Sequence, residues 1–263
     1  MKKLLSLFFL FISLSQISFA QLNNSSYREI TSDLKGLTDD FMKWYSYTFF
    51  NIRLSRDFIG LDVDSSSMDK PAFLKKMLSG EVFAYKTSTI EGRDVYKLYP
   101  LTSKDENIKN TIKEMASTEM RHNKIEGTEI PAFNFTDING NNYTNSSTKG
   151  KLVVLKCWFI HCVPCIMEMP ELNKLVDDHK GNDNILFISL ALDNKEELTE
   201  FLKTKQFKYA VVPEMKEFIN KDLNTTHYPT HLLIDGNGKI VKVVNRIEDL
   251  VPFLDKALAK SLH

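Results

Sequence analysis

The period of the apolar residues changes several times along the chain, and each change predicts an element. Ile30, Leu34, Leu37 and Phe41 recur at helical spacing, which predicts a helix over residues 27–43. The aromatic segment 44–50 then gives way to alternation. Phe50, Ile52 and Leu54, and again Ile59, Leu61 and Val63, predict two strands broken near Ser55-Arg56-Asp57. Residues 67–78 have the pattern of a short helix, with Pro71 in its first turn and Gly80 just beyond its end. Residues 82–86 and 95–101 pair as a hairpin around Glu91-Gly92-Arg93. Ser103-Lys104-Asp105-Glu106 has the spacing of a capping box and opens a longer helix, with Ile108, Ile112, Met115 and Met120 facing inward.

Beyond Gly127-Thr128-Glu129-Ile130-Pro131 the order becomes regular. Residues 152–158 are a nearly unbroken apolar run, the mark of a buried strand. Over 163–179, Ile166, Met169, Leu172, Leu175 and Val176 fall on one helical face. Strand 185–191, helix 195–205, strand 208–212, a short helix 215–223, strands 230–235 and 239–244 and helix 247–261 follow. Such alternation predicts an α/β layer sandwich, its last two strands joined as an antiparallel hairpin by Gly236-Asn237-Gly238.

Three segments are therefore expected: 1–20, 21–126 as an α+β domain, and 127–263 as the α/β domain. The first segment has Lys2 and Lys3 before an apolar run over 4–14, then small residues ending at Ala20. That is the layout of a secretory signal peptide cut near Ala20, and the run is short for a membrane span. An uncleaved anchor is the competing reading. Segment 21–126 carries no recognisable chemical motif. Its aromatics read as core, and neither its fold nor its role can be named. The 34 basic and 34 acidic residues cancel, so nothing marks nucleic acid as a partner.

Cysteine gives the candidate chemistry. There are three, and Cys162-Val163-Pro164-Cys165 stands between the buried strand and the first turn of a helix. Main-chain N–H groups and the helix dipole at that position favour a thiolate. Two intervening residues bring the second sulfur one turn below the first, where a disulfide can close and reopen. A bridge over so short a loop removes little chain entropy, so even in an oxidising compartment it contributes little as a structural staple. Cys162, at the mouth of the helix, is expected to be exposed and to attack; Cys165 is expected to be buried and to resolve. Cys157, in the middle of the strand, reads as a small buried hydrophobe.

Trp158-Phe159-Ile160-His161-Cys162-Val163-Pro164-Cys165, followed by Glu168-Met169-Pro170, resembles the thioredoxin superfamily, and more narrowly its extracytoplasmic TlpA/ResA-like thiol–disulfide oxidoreductases. Tyr228-Pro229-Thr230 and the strand after it are similar to that family's cis-proline loop, and Pro131 to Asn141 to the hairpin that precedes its core. The resemblance covers residues 127–263. It implies a thioredoxin-like C-terminal domain, a central mixed sheet flanked by helices with an extra N-terminal hairpin, beside the separate N-terminal α+β domain. It also implies a redox-active Cys162–Cys165 disulfide with no other cofactor and no metal, protein disulfides as substrates, a reducing direction, and a membrane thiol-transfer protein as electron donor. Apocytochrome c is one substrate this would allow.

In the resemblance Glu168 handles the proton of Cys165, the competing reading being an ordinary solvent-facing helix glutamate, and Pro229 is cis. Tyr228 beside it would face the disulfide and present backbone to a substrate strand, with Trp158 and Pro164 completing the docking surface. Tyrosine is larger than the residue common at that place. Lys156 departs from the superfamily, which commonly has a buried Asp there. A lysine inside a strand is costly unless paired, so it is expected to meet Glu168 beneath the disulfide or to snorkel to water. His161 could favour the Cys162 thiolate when protonated, or be an exposed neighbour. His227 and His231 carry no specific signal.

Other chemistries fit less well. A c-type haem motif needs His where Ile166 stands. An iron–sulfur cluster lacks a fourth cysteine, and Cys157 and Cys162 are poorly placed to converge on zinc. A peroxiredoxin needs Thr where Phe159 stands. The alternative from another class is a binding protein in which the thioredoxin-like part is scaffold and the CxxC idle.

Overall fold

A computed structural model of the chain describes residues 34 and 36–261. The expected signal peptide and the start of the helix expected from residue 27 lie outside the described residues. The chain divides into two compact units, one made of residues up to Ile52 with Phe58–Glu114, the other of Arg53–Asp57 with the chain from Met115 on.

The first unit contains α1 (Phe41–Asn51), β1 (Phe58–Leu61), β2 (Ser67–Met68), α2 (Lys70–Met77), β3 (Val82–Ile90), β4 (Arg93–Pro100) and the start of α3 (Glu106–Ile125). Its sheet runs β2-β1-β4-β3, with β1 parallel to β4 and the other pairs antiparallel. Trp44, Phe73, Phe83, Tyr96, Leu98, Ile108 and Ile112 are buried in it.

Two expectations are corrected here. The strand predicted at Phe50-Ile52-Leu54 does not form: Phe50 lies in the last turn of α1, Ile52 is its extended C-cap and Leu54 is in the turn that follows. Asp40 caps that helix by accepting from Lys43 N at 2.7 Å, and the rings of Phe41, Tyr45 and Phe49 stack one turn apart, so the helix runs on through Phe50. The cap of α3 is Asp105, which accepts from Asn107 N at 2.8 Å, while Ser103 accepts from Asp105 N at 3.2 Å. Aspartate caps as well as serine and stands next to the first helical residue, so the predicted Ser103–Glu106 box does not form.

The second unit begins with the hairpin β5 (Asn134–Thr136) and β6 (Asn142–Thr144). The Asp137 carboxylate closes its turn, accepting from the N–H groups of Asn139 and Asn141 at 2.9 Å each. The core is a five-stranded mixed sheet, β11-β10-β7-β8-β9, built from β7 (Leu152–Trp158), β8 (Ile185–Ala191), β9 (Ala210–Val212), β10 (Thr230–Ile234) and β11 (Ile240–Val244). β7, β8 and β9 are parallel, and β10 runs antiparallel to both β7 and β11. Its helices are α4 (Val163–Met167), α5 (Met169–Asp178), α6 (Lys195–Leu202) and α7 (Ile247–Ser261), with a π-helical turn at Phe218–Asp222 where a short helix was predicted.

All of β7 is buried, as a central strand covered on both faces must be. Side chains alternate across it. Leu152 and Val154 pack with Leu172, Leu175, Leu250 and Leu254 of α5 and α7. Val153, Leu155 and Cys157 pack on the opposite side with Phe135, Ile188 and Val243. The parity of Val154 continues to Lys156 and Trp158, and that is what sends a lysine toward the cysteine-bearing helix.

Candidate active site

Where β7 ends, the chain turns through Phe159 and His161 into α4. Cys162 is the N-cap of that helix; its Sγ accepts from Cys165 N at 3.3 Å, and Pro164 occupies the first turn, where no N–H is needed. Cys162 and Cys165 are joined in a disulfide with Cα atoms 5.2 Å apart. Cys165 is fully buried, as expected. Cys162 was expected to be exposed but retains only 5% of its surface, because the bridge draws its sulfur inward against the cluster of Trp158, Met169 and Ala191. The neighbours His161, Val163 and Pro164 are exposed.

The helix predicted over 163–179 is broken. Pro170 has no N–H to offer Ile166 O, and its ring crowds the preceding turn. Glu168 is at once the C-cap of α4 and the N-cap of α5. The break turns its side chain inward beneath the disulfide. There it meets Lys156, whose Nζ bonds Glu168 Oε1 and also donates to the Cys165 carbonyl at 3.1 Å. Lys156 is fully buried, so the snorkelling alternative is not taken.

A third residue joins them. His231 on β10 is the Cα partner of Lys156, and cross-strand partners share a face. Its Nε2 lies 3.0 Å from Glu168 Oε1 and 3.2 Å from Oε2. Reading the sequence alone missed this histidine. The available signal was its place in a strand that must pair with β7, but only the register shows that it faces Lys156.

Burial works against charge on Glu168, yet His231 and Lys156 outweigh it, and its carboxyl is held below the ordinary carboxylate range. Burial lowers Lys156 against the pull of Glu168, and it lowers His231 in the same way. A carboxylate can only accept, so His231 Nε2 carries the hydrogen. His231 and Lys156 thus oppose the burial of Glu168 from two strands and hold its carboxyl down together. On the far side of β7, burial pushes the Cys157 thiol up to about 12, with Lys156 pulling the other way.

Tyr228–Pro229 is a cis peptide, and Tyr228 packs against the cluster that contains Cys162 and Cys165. The Tyr228 ring stands edge-on to Phe159, centroids 5.4 Å apart, and its hydroxyl donates to Asn220 Oδ1 at 3.2 Å. Asn245 holds the loop by donating to Pro229 O at 2.8 Å and Thr230 Oγ1 at 2.9 Å. Trp158 does not reach the surface. It is fully buried against Phe201 and Phe207, so it has no area to present to a docking strand and packs behind the disulfide instead. Among the described residues, no three His, Cys, Asp or Glu side chains converge as a metal site would require.

A mixed sheet with a CxxC at the end of its central strand and a cis-proline loop alongside defines a thioredoxin-fold oxidoreductase domain. Comparison with known protein sequences agrees. The AhpC/TSA family matches residues 127–243. The thiol–disulfide oxidoreductase ResA of Bacillus thuringiensis subsp. konkukian is 32% identical over 126 residues, which are 47% of this chain and 72% of that protein. The thioredoxin-like protein YneN of Bacillus subtilis is 29% identical over 117 residues, 44% of this chain and 68% of that protein. Among solved structures, the thioredoxin domain of a thiol–disulfide oxidoreductase from Bacteroides vulgatus aligns with 50% of this chain and 96% of its own length, at 25% identity and a TM-score of 0.45. The chain belongs to the TlpA/ResA-like thiol–disulfide oxidoreductases of the thioredoxin superfamily.

Proposed function

We propose that the chain works outside the cytoplasm as a reductant of protein disulfides, with Cys162 attacking and Cys165 resolving. The observation that carries this reading is the buried set in which Lys156 Nζ bonds both the Glu168 carboxyl and the Cys165 carbonyl, since a resolving thiol needs a base within the protein. The Cys162 thiolate attacks one sulfur of the substrate disulfide; a mixed disulfide forms and one substrate thiolate leaves. Cys165 gives its proton to Glu168. Its thiolate then attacks Cys162 Sγ, the mixed disulfide breaks, and the second substrate thiolate departs. The substrate has gained two electrons and the chain has lost two.

The cis-proline loop, with Tyr228 and Pro164, is the docking edge for the substrate strand. Electrons return through a membrane thiol-transfer protein, as the resemblance implies, and apocytochrome c is a candidate substrate. Export rests on the pattern of residues 1–20; among the described residues no helix is long and apolar enough to cross a membrane. The redox work belongs to residues 127–263.

Insulin reduction by the purified chain, together with its reduction potential against glutathione, tests this. A reversible two-electron couple that is lost in a Cys162→Ser, Cys165→Ser variant is the expected result. A chain with no such couple, or one whose cellular phenotype survives loss of both cysteines, would be a binding protein on a thioredoxin-like scaffold.

A further inference from the structure

We infer that His231 is a positioning residue for the resolving step, holding the Glu168 carboxylate where it takes the proton of Cys165. This rests on the redox reading of Cys162 and Cys165 and adds to it a residue on a different strand.

The placement of His231 is hard to explain as packing. Its side chain is fully buried at a position whose same-face neighbour along β10 is Leu233, in the midst of an apolar cluster. A leucine would fill that layer with no polar atom to satisfy. The imidazole instead leaves Nδ1 buried without a hydrogen-bond partner among the described residues, a cost that must be offset elsewhere. Its single bond is to Glu168, where Nε2–H reaches both carboxylate oxygens.

Glu168 needs a second anchor. Lys156 Nζ is shared between Glu168 and the Cys165 carbonyl, so one flexible side chain alone would hold the carboxylate. Glu168 also stands at the break between α4 and α5, next to the exposed turn, and could swing toward water. Lysine from β7 and histidine from β10, in direct register, close on it from two strands. The charges facing the set are few. Glu171 lies on α5, Glu248 lies in the first turn of α7 with Arg246 just before it, the Cys157 thiol follows Lys156 on β7, and the buried Tyr209 hydroxyl precedes β9. Lys156 and His231 both close on Glu168, and His231 Nε2 supplies a second donor to its carboxylate.

The step is balanced: the Cys165 S–H bond breaks, its proton goes to a Glu168 oxygen, and the freed thiolate displaces the substrate sulfur from Cys162. His231 exchanges no proton in this scheme; it keeps the acceptor in place.

Three variants test it in the full chain. His231→Leu removes the donor. His231→Gln keeps an amide N–H near the position of Nε2. His231→Asn keeps polarity but cannot reach as far, and is read in place of leucine if that variant does not fold. In insulin reduction, leucine or asparagine is expected to lower kcat about ten-fold with KM little changed, and to move the alkaline rise of kcat to higher pH, where hydroxide replaces the misplaced base. Glutamine is expected to restore most of the rate. Alkylation of Cys162 in the reduced protein should proceed at the parent rate in all three, because attack does not use Glu168. If leucine, asparagine and glutamine are equally impaired, or the pH profile does not move, His231 is only packing. Should the parent chain lack a reversible Cys162–Cys165 couple, it is the redox reading itself that fails.

Discussion

Lys156 and His231 are Cα partners on antiparallel β7 and β10, and both direct their side chains onto the same Glu168. Two polar residues in facing positions of these strands act as one device, because a strand pair puts cross-strand partners on the same face. The device lies under the disulfide since the parity that begins at Leu152 reaches Lys156 and Trp158 on the side of α4.

The first prediction is that Lys156 and Glu168 are strongly coupled. Lys156→Met leaves a buried carboxylate with only the His231 imidazole beside it, and breaking a buried pair in this way costs about 3 to 5 kcal/mol. The double variant Lys156→Met, Glu168→Gln removes both charges and should recover much of that loss. Urea unfolding of the four proteins gives the coupling directly. Additive effects would mean that Glu168 is solvated and that the pair does not hold it.

Much of this site could be read locally, and the remainder could not for a definite reason. Cys162, Cys165, Pro229 and the buried strand at 152–158 announce themselves within a few residues, through spacing, turn chemistry and apolar continuity. The Lys156–Glu168 contact was foreseeable because an unpaired lysine in a central strand is too costly. His231 was not, since its meaning depends on a register between strands far apart in sequence. Cys162 was judged exposed from its place at a helix mouth, but the bridge to buried Cys165 pulls it in. Near the start of the chain, three alternating apolar residues at Phe50, Ile52 and Leu54 fit a strand. They also fit a helix end, and the Asp40 cap with the stacked Phe41, Tyr45 and Phe49 rings decided for the helix.

A second prediction concerns Cys157. It is fully buried and its thiol is pushed up to about 12, so the thiolate is scarce at neutral pH. Brief treatment of the reduced native protein with iodoacetamide should modify Cys162 and leave Cys157 untouched; in denaturant all three cysteines should react. Peptide mass mapping reads the result. Labelling of Cys157 at a rate near that of Cys162 would show that the second unit opens far more readily than its packing implies.

A third follows from His122, in the part of α3 that belongs to the second unit. Burial lowers its pKa to about 4 from an ordinary 6.5, against the pull of Glu126 and with Lys242 and Arg121 acting the same way as burial. The unfolded chain therefore takes up a proton between these values while the native chain does not. Stability rises with pH across that window and falls on acidification, by about 3 kcal/mol for this group alone. His231 acts in the same direction below 6.5. Glu168, with its carboxyl depressed, contributes stability above its ordinary value that is lost as pH falls through its native one. Denaturant midpoints at pH 7, 5.5 and 4.5 should decline steadily, and His122→Met should flatten the upper part of that decline. An unchanged slope in the variant would place His122 in contact with water.

The last prediction separates the loop from the sulfurs. Asn245 bonds both Pro229 O and Thr230 Oγ1, while Thr230 Oγ1 donates in turn to His227 O at 2.7 Å, so one amide secures both ends of the turn beside Tyr228. Asn245→Ala strips these acceptors of a partner inside a half-buried site, at a cost of about 1 to 2 kcal/mol in stability. The disulfide, Glu168 and Lys156 are untouched by that change. If the loop is where a substrate strand lies, KM for insulin should rise several-fold while kcat and the reduction potential stay near the parent values, because docking is loosened and sulfur chemistry is not. A shifted potential with unchanged KM would instead assign the loop to the redox couple and move substrate docking elsewhere on the domain.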